Sequence, residues 1–214
     1  AVLPEILLLV LGAVVIGVDL FQRGQNRRAL GWISMVGVIG VLVLVVFQTA
    51  PMVTSNTTYE PFFSGMIRID LTVQLFRIMF LVAAALICLI SLDFKPMKQS
   101  SEYYALVLFG TLGMGLMAAS NNILMLYLSI ETTSICLYML AGFMRDTRPS
   151  TEAGMKYFLF GAFTSTIMLY GLSLLFGFTG QTDFAGVSAG LSKLVAAQQT
   201  LPVMVALVLV LVGF

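Results

Sequence analysis

Glu131 stands about ten residues into the apolar run that opens at Asn122, and Ser120, Tyr127, Glu131, Ser134 and Tyr138 follow one another at intervals of seven, four, three and four residues. On a helix these positions share one face, so a carboxyl group is flanked by hydroxyl groups along a polar stripe. Hydroxyls donate and accept, so they can hold an acid in either protonation state and order water beside it, which is the chemistry of a proton relay. An ionised acid near the centre of a bilayer costs roughly 2.5–3.5 kcal/mol, so it must face protein or water, and function is its default reading. The competing reading is a glutamic acid that only bonds across helices.

Lys156 is the second candidate. It follows Glu152 by one turn, which allows two readings: a member of the relay, or an exposed i,i+4 pair whose lysine reaches toward headgroups. At 1.5 Å per residue, Glu131 lies about 18 Å and Lys156 about 7.5 Å from the inner ends of their helices. Direct contact is not expected, and a water-bridged link remains. Arg77 is read as reaching to the outer interface, and Glu5, Asp19 and Glu102 as interfacial acids at span ends.

These groups sit in a chain of 214 residues that is 59% hydrophobic and 10% charged, with a mean hydropathy of +1.02. Such a composition calls for a membrane as solvent. The formal net charge of +1 carries no basic field toward nucleic acid. The sequence has no histidine, and Cys88 and Cys136 lie singly in apolar runs, so neither a metal nor an iron–sulfur or haem site is expected in this chain.

A span needs about 20 apolar residues. Seven candidates follow: Leu3–Leu20, Ala29–Phe47, Thr72–Leu92, Tyr104–Ala119, Asn122–Phe143, Thr151–Gly177 and a seventh from Leu201. The first carries Glu5 at its front and no basic leader, so it reads as a permanent helix. The seventh is still apolar at Phe214, so the sequence is expected to be the N-terminal part of one transmembrane domain, residues 1–214, cut within that helix. The expected fold is an all-α polytopic membrane protein with six complete spans and the start of another.

The connectors set an orientation. Arg23, Arg27, Arg28, Lys95, Lys98, Arg145 and Arg148 fall on one side, against Arg68 and Lys193 on the other. Positive charge stays inside, so the N-terminus is expected outside. After Pro61 and Ser64-Gly65, Met66-Ile67-Arg68-Ile69-Asp70 alternates apolar and polar, which predicts a short outer hairpin. Asn56-Thr57-Thr58 matches a glycosylation acceptor, a pattern common by chance. Phe184, Val187, Leu191, Leu194 and Val195 predict a short amphipathic helix before the seventh span.

The stretch Leu126-Tyr127-Leu128-Ser129-Ile130-Glu131-Thr132-Thr133-Ser134-Ile135-Cys136-Leu137-Tyr138, followed by Ser150-Thr151-Glu152-Ala153-Gly154-Met155-Lys156-Tyr157-Phe158 and Tyr170-Gly171, closely resembles the N-type antiporter-like subunit of respiratory complex I. Pro4-Glu5 and Asn121-Asn122 fit as well, so the resemblance covers nearly the whole chain. It implies about fourteen helices in two inverted repeats, with Glu131 paired to a lysine of the discontinuous seventh helix, here expected just beyond Phe214. It raises Lys156 as a relay residue. It also implies a proton-translocating subunit of an NADH or ferredoxin quinone oxidoreductase, working beside sister antiporter-like subunits, with FMN, iron–sulfur clusters, NADH and quinone handled elsewhere in the complex. A bacterial inner membrane is the expected location, ahead of mitochondrial inner or thylakoid membranes. Two readings stay open beside it: a subunit of a Mrp-type sodium/proton antiporter or membrane-bound hydrogenase, and a structural membrane subunit that conducts nothing.

Overall fold

The computed structural model of the chain describes residues 2–22, 27–55, 63–92 and 100–214. They form eight helices: α1 (Leu3–Gln22), α2 (Arg27–Ser55), α3 (Leu71–Ser91), α4 (Ser100–Ala119), α5 (Ile123–Ala141), α6 (Arg148–Thr179), α7 (Phe184–Ala196) and α8 (Thr200–Gly213). Six, α1 to α6, are long and apolar enough to cross a membrane. The expected amphipathic helix is α7, and the seventh apolar run is α8. Lys95, Lys98, Arg23 and the Asn56-Thr57-Thr58 acceptor lie outside the described residues.

Local chemistry explains where the helices start and stop. Asp70, Asn122 and Asp183 are extended residues whose side chains accept from Val73 N, Leu124 N and Gly186 N, so three helix starts have one amide satisfied by a capping side chain. The last helix turn of α6 closes on Gly180, in the left-handed region at φ 65°, whose N–H donates to Phe176 O.

Of three packing clusters among the described residues, two hold the spans together along their length. Leu8 and Val15 of α1, Val38 and Val45 of α2, Leu81 and Cys88 of α3 and Leu108 of α4 share one core. Met168, Leu172 and Leu175 of α6 build a second with Ile123 of α5, Val187 of α7 and Ala206 of α8. Lipid is as apolar as these side chains, so helix association rests on close fit, and small residues supply it. A Cβ on Gly154 would stand 2.7 Å from Gly142 Cα, so α5 and α6 cross there backbone to backbone. Outward-facing Phe160, Leu211 and Ile90 are all more than two-thirds exposed, as suits a surface bathed in lipid.

The alternating segment 66–70 does not form the expected hairpin among the described residues. Phe63–Met66 is a turn, and Ile67 instead makes an isolated antiparallel bridge to Ser120. Arg68 N donates to Ala119 O at 2.9 Å and Asn121 N to Met66 O at 2.8 Å. The α4–α5 connection offers unpaired backbone beside this segment, and satisfying those groups outcompetes local pairing. On its other flank, Ile123 N donates to Thr182 O at 2.9 Å and Asn122 Nδ2 to Thr182 Oγ1 at 2.8 Å. Three connections are thereby stitched together on the side where α1, α3 and α5 begin.

Candidate functional site

Glu131 is the ninth residue of the 19-residue α5, so it stands at mid-span. The stripe that carries it points toward α6. Tyr127, one turn toward the start of α5, packs on the cluster built by α6, α7 and α8. Tyr138, two turns the other way, meets Tyr157 edge to face at 4.8 Å between ring centroids and Phe158 at 5.9 Å. Its hydroxyl occupies the space that a side chain at Gly161 would need. Ser134 lies between them, half-buried.

Glu131 itself is half-buried, yet its Oε1 is buried with no hydrogen-bond partner. A carboxyl oxygen held out of water without a donor is costly, so the residue is placed against its own stability. The adjacent face of α5 behaves differently. Ser129 and Thr133 return their hydroxyls to Met125 O and Ser129 O, and Thr133 Oγ1 lies against Gly113 of α4. Those hydroxyls are spent on the backbone, which leaves Tyr127, Ser134 and Tyr138 as the polar neighbours along the stripe of Glu131.

Ser120 leaves the stripe. It precedes the Asn122 cap, pairs with Ile67 and donates its hydroxyl to Met117 O at 2.7 Å. Beyond the other end of the stripe, a cavity of about 610 Å³ lies among α1, α4, α5 and α6, with Tyr138, Glu102, Arg145, Thr151 and Phe158 in its walls. It gives the stripe an opening toward the side where α1 ends.

Lys156 is exposed, and its Nζ contacts Glu152 Oε1 at 2.5 Å in the i,i+4 arrangement. The structure does not bring it to Glu131. Tyr157, its neighbour in sequence, is what meets the stripe.

Arg77 and Glu5 correct the sequence reading. Neither reaches the interface: their side chains are 3% and 6% exposed and form an ion pair at 2.5 Å. A usable signal existed, since α1 and α3 start on the same side and carry opposite charges at similar depth, at their third and seventh residues. Asp19 and Glu102 do sit at span ends, where Asp19 accepts from Ser101 Oγ at 2.5 Å and Glu102 faces Arg145 at 3.6 Å. Among the described residues, no three His, Cys, Asp or Glu side chains gather to hold a metal ion.

Residues 120–214 match the transmembrane family of NADH:quinone oxidoreductase and Mrp antiporter subunits. The chain is 37% identical, over all of its length and 42% of the relative's, to NADH-quinone oxidoreductase subunit N of Trichlorobacter lovleyi. It is 36% identical to the subunit of the same name from Rhodospirillum rubrum, covering 87% of this chain and 38% of that one. Its fold superposes on a chain of respiratory complex I from Thermus thermophilus with a TM-score of 0.73 at 25% identity, covering 98% of this chain and 42% of that one. A chain of the archaeal membrane-bound sulfane sulfur reductase shares the fold at a TM-score of 0.79 and 23% identity, covering 98% and 43%. The chain thus spans less than half the length of the relatives it matches.

Proposed function

We propose that the chain belongs to the NADH:quinone oxidoreductase/Mrp antiporter transmembrane family, whose pattern its residues 120–214 match, and that it is the N-terminal part of a complex I subunit that carries protons through Glu131. The observation that carries this reading is the mid-span carboxyl of α5, with one buried oxygen that no donor satisfies, set in a stripe of hydroxyl-bearing side chains. Glu131 takes up and releases a proton as its electrostatic surroundings change. A cation brought near a carboxyl favours its charged form, and withdrawing the cation in a low-dielectric interior favours the acid. Tyr138 and the cavity beside it offer an approach from one side. Lys156 joins the relay through water rather than by contact.

In this reading the redox groups belong to other subunits. The subunit spans a bacterial inner membrane with the stitched connections outside and the basic connectors inside. Sister antiporter-like subunits adjoin it, and quinone chemistry elsewhere in the complex drives the change around Glu131.

The family description also names Mrp antiporters, so the partners decide between the two. The full-length subunit, tagged and purified from native membranes, is expected to bring down flavin- and iron–sulfur-containing subunits. A set of membrane subunits alone, without redox proteins, would replace this reading by the antiporter one.

A further inference from the structure

The Glu5–Arg77 pair lies apart from the Glu131 stripe, and its surroundings specify more than an ion pair. Arg77 Nη1 also lies 3.5 Å from Gln74 Oε1, one turn back on α3. The second carboxyl oxygen, Glu5 Oε2, is buried without a hydrogen-bond partner. Beside it is a cavity of about 10 Å³ in which Glu5, Arg77, Thr111 and Gly115 stand among apolar side chains such as Leu8 and Phe80, so α1, α3 and α4 all contribute. That is about the space of one water molecule, which needs two to four polar partners. The Thr111 hydroxyl gives its proton to Val107 O at 2.7 Å, which leaves its oxygen lone pairs free to accept.

We propose that Glu5, Arg77 and Thr111 form a buried site for a single water molecule, and that this hydrated ion pair locks α1 onto α3 and α4. The water donates to Glu5 Oε2 and to Thr111 Oγ1 and accepts from Arg77. The pair is a fixed joint rather than a carrier of protons. Removing one partner strands a buried charge, whereas removing both leaves an apolar contact of similar volume.

Gly115 supplies the test of the water. A Cβ built there has Glu5 Oε1 at 3.7 Å as its nearest neighbour, an ordinary contact, so small side chains fit and project into the site. Gly115→Ala displaces the water with a methyl group, and Gly115→Ser replaces it with a hydroxyl that can donate to Glu5.

The experiment uses the full-length subunit in its purified complex and reads the thermal midpoint of subunit unfolding together with proton translocation per assembled complex. Glu5→Met and Arg77→Met should each lower the midpoint by roughly 5–10 °C or prevent assembly. The Glu5→Met/Arg77→Met double variant should assemble and recover most of that loss, with translocation near wild type. Gly115→Ser should be more stable than Gly115→Ala. A double variant no better than the worse single one overturns the lock. An assembled double variant that no longer translocates protons makes the pair part of the relay and overturns the fixed joint. Equal midpoints for Gly115→Ser and Gly115→Ala overturn the water site.

Discussion

Tyr138 and Tyr157 meet edge to face, with 4.8 Å between centroids and 80° between planes. This contact ties the far end of the Glu131 stripe to the residue next to Lys156, although the two charged groups themselves stay apart. Edge-to-face pairs contribute about 0.5–1.5 kcal/mol beyond the area they bury. The α5–α6 interface is therefore held by rings and glycines, with Ser150 Oγ donating to Ala141 O at its inner end.

The fit around Tyr138 should be intolerant. Gly161→Ala places a methyl group where the Tyr138 hydroxyl lies, and overpacking of this kind costs about 1–3 kcal/mol. Thermal unfolding should show the loss, and Tyr138→Ala in the same chain should relieve much of it. An unchanged midpoint for Gly161→Ala would mean that Tyr138 is free to turn away.

The Lys156–Glu152 pair is more than half exposed on both sides, and exposed i,i+4 pairs contribute only about 0.3–0.5 kcal/mol. Glu152→Gln and Lys156→Met should each leave stability within about 0.5 kcal/mol of wild type. If Lys156 belongs to the relay, Lys156→Met should nonetheless depress proton translocation while Glu152→Gln depresses it less. Equal, normal translocation in both would confine Lys156 to the surface.

Asn122 caps α5 and reaches Thr182, and it is buried. Asn122→Ala removes the cap and the hydrogen bond to the half-buried Thr182 hydroxyl, at a cost of about 1–2 kcal/mol. Proteolysis of the folded subunit should then accelerate at the connections around residues 63–66 and 180–183. Asn122→Asp keeps the cap oxygen and should recover part of the stability. A wild-type digestion pattern for Asn122→Ala would show that the three connections hold without it.

Orientation can be read by cysteine labelling, because Cys88 and Cys136 are buried and give little background. In sealed cells, an impermeant thiol reagent should modify a cysteine placed at the exposed Gln181 and spare one at the exposed Thr147. The reverse pattern would invert the charge-based topology.

The spans and the mid-span depth of Glu131 were legible in the sequence because both depend on runs and distances along one helix. The alternation at 66–70 misled, since its hydrogen-bond partners lie some fifty residues away in the α4–α5 connection. Ser120 kept helical spacing with Tyr127 but sits beyond the Asn122 cap, where the period no longer applies. Arg77 and Glu5 were each assigned to the interface because each was weighed singly. Their burial depends on the pairing of two parallel helices 72 residues apart in sequence, visible only when depths are compared across spans.

The most direct test of the central claim is proton translocation by an assembled complex carrying Glu131→Gln. Glutamine keeps the volume and hydrogen-bonding capacity of the side chain and removes its titratable proton. Losing a positioned acid–base group slows proton transfer by about a hundredfold or more. Reconstituted in sealed vesicles, the variant should assemble with its normal partners and show translocation reduced by at least that factor, with Glu131→Asp in between. A Glu131→Gln complex that assembles and translocates protons at the wild-type rate would contradict the account and leave the buried acid of α5 a structural residue.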